Sequence, residues 1–289
     1  MSAAKVELGR LLFYDADLSV DGTLSCASCH EQRRGFADGN MTRPGVHETP
    51  GKRNVPGLAN VAWLPRLTYA DPSATTLEKQ AMIPLTGENP LEMGMKDMEA
   101  ELTRRLNANK CYRQMFRKAF PERKGQIDFT SVTASLGAFQ RMMISYDSPY
   151  DRHLTGENSA LSPLAKQGMV TFKNAGCAAC HKGPNFTDAN YHRLEPAKSA
   201  DPGLIEQTGR ADDAGRFRTP ILRNVALTGP YWHDGTSPTM EDAIRRHPGT
   251  QITDNDMPAL TAFLRSLTGT NLMKNPQLSR PDSACGKPL

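Results

Sequence analysis

Apolar residues along the chain recur at helical spacing in several places. Leu8, Leu11 and Leu12 fall on one face of a segment running from about 5 to 14. Over 128–144, Phe129, Val132, Leu136, Phe139 and Met143 follow steps of three and four, which predicts a helix with one buried stripe. Met98, Leu102 and Leu106 predict a helix over 97–107, and 75–82 reads as a shorter one. Ser162-Pro163 supplies an N-cap and a first-turn proline for a helix running to Phe172. Ser237-Pro238 precedes another over 239–246, and Met257, Leu260, Leu264 and Leu267 mark a last one over 254–268. No segment alternates as a half-buried strand would. The stretch from Gly35 to Pro72 is rich in Gly and Pro and has little periodicity. A loop that long in a compact chain is usually functional or wraps a ligand. The pattern predicts an all-α protein with long loops.

A chain of 289 residues and 31.7 kDa suits two domains better than one. Ser148 to Asn158 reads as the crossing between them, which gives 1–150 and 151–289. No apolar run approaches the ~20 residues of a membrane-spanning helix. Net charge is only +4, and no Lys/Arg block exceeds a pair, so neither a membrane span nor a nucleic-acid partner is expected.

The six cysteines sharpen the picture. Four of them stand in Cys26-Ala-Ser-Cys29-His30 and Cys177-Ala-Ala-Cys180-His181. Two thiols one helical turn apart, followed directly by histidine, form the attachment pattern for covalent c-type haem. The thiols bond the porphyrin vinyl groups, and the imidazole becomes an axial iron ligand. A four-cysteine zinc site has no use for the added histidines, and a thioredoxin-type pair would need a βαβ context. Two covalent haems, one in each half, are therefore expected. Cys111 and Cys285 remain, either as a disulfide or as separate thiols. Covalent haem of this kind is attached outside the cytoplasm, so a periplasmic location is expected. Met1–Lys5 shows no charged n-region before an apolar stretch, so the export signal is read as absent from this sequence.

Further motifs carry a family resemblance. Leu8-Gly-Arg-Leu-Leu-Phe-Tyr-Asp15, Leu18-Ser19 and Ser25–His30 resemble the opening of the bacterial dihaem cytochrome c peroxidases. Gly176–His181, Arg218-Thr-Pro220, Leu222-Arg-Asn-Val-Ala226 and Pro230-Tyr-Trp-His-Asp-Gly235 resemble the second half of that superfamily, which includes MauG. The run from Leu67 through Pro84 to Gly94 is similar to the MauG-like branch found with methanobactin genes, though slightly longer than the usual peroxidase version. The resemblance implies two cytochrome-c-like helical domains with haems near their interface.

It also implies roles for particular residues. His30 would hold the peroxide-reacting haem. Gln80, Pro84 and Glu92 would form its distal wall, with Glu92 moving the peroxide proton. Taken alone, Glu92 reads as a solvated loop carboxylate. The second haem would be held by His181. Counted on from His233, the family position of its other ligand falls on His247, where cytochrome c peroxidases have Met and MauG has Tyr. Two imidazoles lower the potential relative to His/Met, which favours sharing an oxidising equivalent with the first haem. The family's inter-haem tryptophan falls near Tyr69 or Ala70 here, so Tyr69 would either relay charge or simply pack. Asn54 and the carbonyls of Thr228 and Pro230 match an inter-haem Ca²⁺ site of oxygen ligands. His47 approximates, out of register, a histidine that closes the first site in some relatives, and it reads as a loop residue.

The expected function is H₂O₂-dependent oxidation of a residue, expected to be tryptophan, on a partner protein at long range. The alternatives are H₂O₂ reduction with electrons from a small redox protein, and electron transfer without catalysis.

Overall fold

In a computed structural model, which describes residues 1–194 and 200–288, two pairs of crossed helices organise the chain. Ala3–Tyr14 lies on Phe129–Gln140, and Pro163–Asn174 lies on Met257–Arg265. Both crossings are built alike. A Cβ on Gly9 would stand 1.9 Å from the Ser135 carbonyl oxygen, and one on Gly168 would stand 1.8 Å from that of Ala259. In each pair the phenylalanine one turn further on, Phe139 or Phe263, also touches the glycine. Glycine inside a helix costs about 1 kcal/mol relative to alanine. Its presence at both crossings follows from backbones that approach too closely for any side chain.

The caps match the local sequence. The Ser2 and Ser162 hydroxyls accept hydrogen bonds from the Lys5 and Ala165 amides at 3.3 and 3.1 Å. Asp128 and Ser131 form a reciprocal capping box. The first core gathers Leu8, Leu12, Phe13, Phe36, Leu136 and Phe139, and the second gathers Phe172, Phe186, Leu260, Phe263 and Leu264. Fully burying such side chains contributes roughly 1.5–3 kcal/mol each.

The protein is mostly helical, as its periodicity predicts, and it adds elements the periodicity does not announce. Helix Lys110–Ala119 is capped by Asn109 and buries Tyr112, Phe116 and Ala119. Helix Pro149–Leu154 occupies the expected crossing between halves. Two short antiparallel ladders pair Tyr191–Arg193 with Arg216–Arg218, and Ser283–Ala284 with Lys287–Pro288. The helix expected over 128–144 ends at Gln140, where the chain turns to meet the loop at Asn60, whose amide donates to the Met143 carbonyl at 2.8 Å.

After Arg265 the chain returns to the first core, where Leu272 and Leu278 are buried. Arg10 and Tyr14 donate to the carbonyls of Ser279 and Leu278 at 2.8 and 2.7 Å. A disulfide joins Cys111 to Cys285 and resolves the choice that the sequence leaves open. The two halves also meet through a repeated asparagine. Asn60 and Asn224 both adopt left-handed backbone, with φ of 60° and 61°. Asn60 accepts from the Ser145 amide, Asn224 donates to the Ser145 hydroxyl, and both asparagines are fully buried.

Candidate haem-binding site

One continuous cavity of about 740 Å³ runs between the halves. It is lined by both Cys-x-x-Cys-His units and by every other residue singled out above as a candidate ligand or distal group. His47 is not in that lining. Its side chain is 63% exposed and lies 3.8 Å from Asp21, in keeping with a loop histidine.

Each unit presents its histidine in the same way. Ser25 and Ser28 cap the short helix Cys26–Cys29, and the chain leaves it at His30. His30 Nδ1 donates to the Phe36 carbonyl at 2.6 Å, and His181 Nδ1 donates to the Phe186 carbonyl at 3.0 Å. Both phenylalanines carry positive φ, 64° and 53°, which turns their carbonyls back toward the imidazoles. With Nδ1 so engaged, Nε2 is the atom on each ring that could act as a ligand. Burial lowers the pKa of His30 and pushes His181 down to about 4, so both rings are neutral as ligation requires. Burial pushes the Cys26 thiol up to about 12 and Cys29 up to about 11. Thiols held protonated in an apolar cavity suit thioether attachment and not a thiolate metal site.

On the far side of the second unit, His247 Nδ1 donates to the Ala243 carbonyl at 2.8 Å. The ring centres of His181 and His247 lie 6.3 Å apart. Two metal–nitrogen bonds of roughly 2 Å, with about 1.2 Å from each nitrogen to its ring centre, span nearly the same distance. The pair therefore fits an iron held between two imidazoles.

The part of the cavity lined by Gln80, Pro84 and Glu92 is built differently. Gln80 and Pro84 stand one turn apart on Leu77–Thr86, which the Glu78–Arg141 ion pair (2.7 Å) ties to Phe129–Gln140. The Glu92 segment hangs from the end of that helix. Met93 and Met95 amides donate to the Pro84 and Leu85 carbonyls at 3.0 and 2.8 Å, while Val46 N donates to the Glu92 carbonyl at 2.8 Å. Gly45 permits this approach, since a Cβ there would meet the Leu91 carbonyl at 1.9 Å. Burial raises the Glu92 pKa above the usual carboxylate range. The carboxyl is thus partly desolvated and not a solvated loop charge.

Between the units, the Tyr69 carbonyl accepts from Arg218 N at 2.9 Å, and the Arg218 guanidinium donates to the Thr68 carbonyl at 3.0 Å. Tyr69 is thereby fastened to a strand of the second half. Asn54 bridges the halves too: its amide donates to the His233 carbonyl at 2.7 Å, and Nδ2 donates to the Asn40 carbonyl at 2.8 Å. Arg53 pairs bidentately with Asp201, both bonds 2.7 Å. Among the described residues, one other cluster could hold a metal: Cys180, Asp188 and His192. His192 is paired with Asp188 at 2.8 Å.

Sequence reasoning missed the Phe36 and Phe186 carbonyls and the paired asparagines. A signal was present: Leu58-Ala-Asn-Val-Ala62 repeats as Leu222-Arg-Asn-Val-Ala226, each following a Cys-x-x-Cys-His unit.

Paired helix crossings, each leading to such a unit with an apolar cavity above its imidazole, define a c-type cytochrome. Residues 3–159 match the di-haem cytochrome c peroxidase family and 165–268 match cytochrome c, so the chain belongs to the di-haem cytochrome c peroxidase/MauG family of oxidoreductases. It is 37% identical over 247 residues to the methylamine utilization protein MauG of Methylorubrum extorquens, covering 84% of this chain and 68% of that one. It is 33% identical to the cytochrome c551 peroxidase of Pseudomonas aeruginosa, covering 97% of this chain and 82% of that one. A solved MauG-like protein associated with microbial copper homeostasis superposes with a TM-score of 0.91 at 36% identity, covering 97% of this chain and 94% of that one.

Proposed function

We propose that the chain holds two covalent c-type haems and uses H₂O₂ to oxidise a residue of a partner protein at long range. The observation that carries this reading is the asymmetry of the two units. One has two imidazoles, His181 and His247, with ring centres 6.3 Å apart, and the other has the single imidazole of His30 in a cavity that the buried Glu92 carboxyl also lines. When bound, haem supplies an iron that accepts peroxide and a reservoir for the oxidising equivalents its reduction leaves behind.

The chain's own residues do the rest. Cys26 and Cys29 would anchor the first haem with His30 as ligand, and Cys177 and Cys180 would anchor the second with His181 and His247 as ligands. The halves 1–150 and 151–289 each carry one. Ionised Glu92 takes the proton from the nearer peroxide oxygen and returns it to the departing one, so that water leaves. Gln80 would hydrogen-bond in the same pocket, and Pro84, which has no N–H and no ligating side chain, would leave room there for peroxide. Tyr69, in the lining of the shared cavity, would pass charge between the sites. The Asn54 amide oxygen and the Thr228 and Pro230 carbonyls make a Ca²⁺ site of hard oxygen donors.

The Cys111–Cys285 disulfide supports a periplasmic location. Among the described residues, no helix is long and apolar enough to cross a membrane. The likeness to a protein associated with copper homeostasis supports a copper-handling partner, and the residue oxidised on it would be a tryptophan. A second reading, H₂O₂ reduction with electrons from a small redox protein, is favoured by the likeness to cytochrome c551 peroxidases.

Stopped-flow mixing of the fully oxidised holoprotein with one equivalent of H₂O₂, without reductant, separates the two. Reaction at once supports the oxidase, and reaction only after one electron is added supports the peroxidase.

A further inference from the structure

We infer that Trp63 is the residue through which electrons enter from outside, with Tyr146 and Asn185 linking it to the second haem site. The inference rests on the oxidase reading above. Trp63 is 53% exposed and Tyr146 39%, and their ring centres stand 5.8 Å apart at 70°. The Tyr146 hydroxyl donates to Asn185 Oδ1 at 3.0 Å. Asn185 is followed in the chain by Phe186, whose carbonyl accepts from His181 Nδ1 at 3.0 Å. Covalent bonds, two hydrogen bonds and one ring contact thus lead from a buried imidazole to an exposed indole. Electron tunnelling weakens steeply with distance and faster through gaps than through bonds, so such a route outcompetes most others of its length.

The surroundings select Trp63 as the stopping place. The other tryptophan, Trp232, lies 5.5 Å from His247 but has the Arg246 guanidinium 4.1 Å from its ring centre. A cation there attracts the electron-rich ring and repels the positive charge that oxidation would create. Tyr146 has Arg223 4.7 Å above its ring, and its hydroxyl faces an amide oxygen, too weak a base to take the phenolic proton. Tyr146 is therefore a bridge, and the indole beyond it meets water.

The electrons balance. Reduction of H₂O₂ to two waters takes two electrons and two protons and leaves the protein two electrons short. Trp63 passes one electron inward and releases its Nε1 proton to water, then regains both from the external donor and solvent. Two such cycles restore the resting protein.

The test uses holoprotein, freeze-quenched after one equivalent of H₂O₂ without a donor, and read by EPR and by peptide mass mapping. Wild type is expected to show a tryptophan radical and oxygen added at Trp63. Trp63→Phe is expected to lose both, Trp232→Phe to keep both, and Tyr146→Phe to weaken the radical. Circular dichroism checks that each variant is folded. A radical and an oxidation map that are the same in Trp63→Phe as in wild type, with haem spectra that respond to peroxide, would overturn the relay alone. Haems inert to peroxide in wild type would overturn the oxidase reading and the relay with it.

Discussion

His181 and His247 face each other across the cavity with ring centres 6.3 Å apart, each ring fixed by a hydrogen bond from Nδ1 to a main-chain carbonyl. Neither ring needs to move to hold an iron between them. His247→Ala should convert the second haem from low-spin to high-spin, visible in absorption and EPR. His247→Met should keep it low-spin and raise its reduction potential, because thioether ligation favours the ferrous form.

Glu92 is held on both sides by main-chain bonds and desolvated by its burial. Glu92→Gln removes the proton carrier and should slow the peroxide reaction about 10²–10⁴-fold. The same change should raise thermal stability at neutral pH, because the native fold no longer buries an ionised carboxyl. Activity and stability moving in opposite directions would mark Glu92 as a functional group kept at a cost to the fold.

The pH dependence follows from the same carboxyl. Its folded pKa is raised, so between the usual carboxylate value and that raised value the native state binds more protons than the unfolded one. Its contribution to stability is then full at low pH and declines as pH rises through that window. Peroxide reactivity runs the other way, since only ionised Glu92 accepts the proton. Rate constants measured against pH should fall on the acid side of the raised pKa in wild type, and this limb should vanish in Glu92→Gln.

The paired glycines test the architecture. Gly9→Ala and Gly168→Ala each force a methyl group against a helix carbonyl at 1.9 and 1.8 Å. Each should cost about 1–3 kcal/mol by overpacking despite the better helix propensity of alanine. Thermal melts should show a loss for both.

Much of this was legible in the sequence, for identifiable reasons. Haem attachment needs its thiols and imidazole next to one another in the chain, so the Cys26–His30 and Cys177–His181 units read directly. Helices with one buried face announce themselves by spacing, as at Glu99–Ala108, which buries Leu102 and Leu106. Lys110–Ala119 did not, because Tyr112, Phe116 and Ala119 are outnumbered there by basic and polar residues. The carbonyls of Phe36 and Phe186 are main-chain atoms, aimed by backbone angles that side-chain identity does not encode. Glu92 and His247 reach the cavity only through tertiary contacts, so residue type alone gave them no role and the family motifs did.

The central claim is that two unlike haem sites share the oxidising power of one peroxide. EPR of the diferric holoprotein before and after one equivalent of H₂O₂ tests it most directly. The account predicts one high-spin and one low-spin ferric signal at rest, both lost together after mixing. Loss of the high-spin signal with the low-spin signal of the His181–His247 site left intact would contradict it.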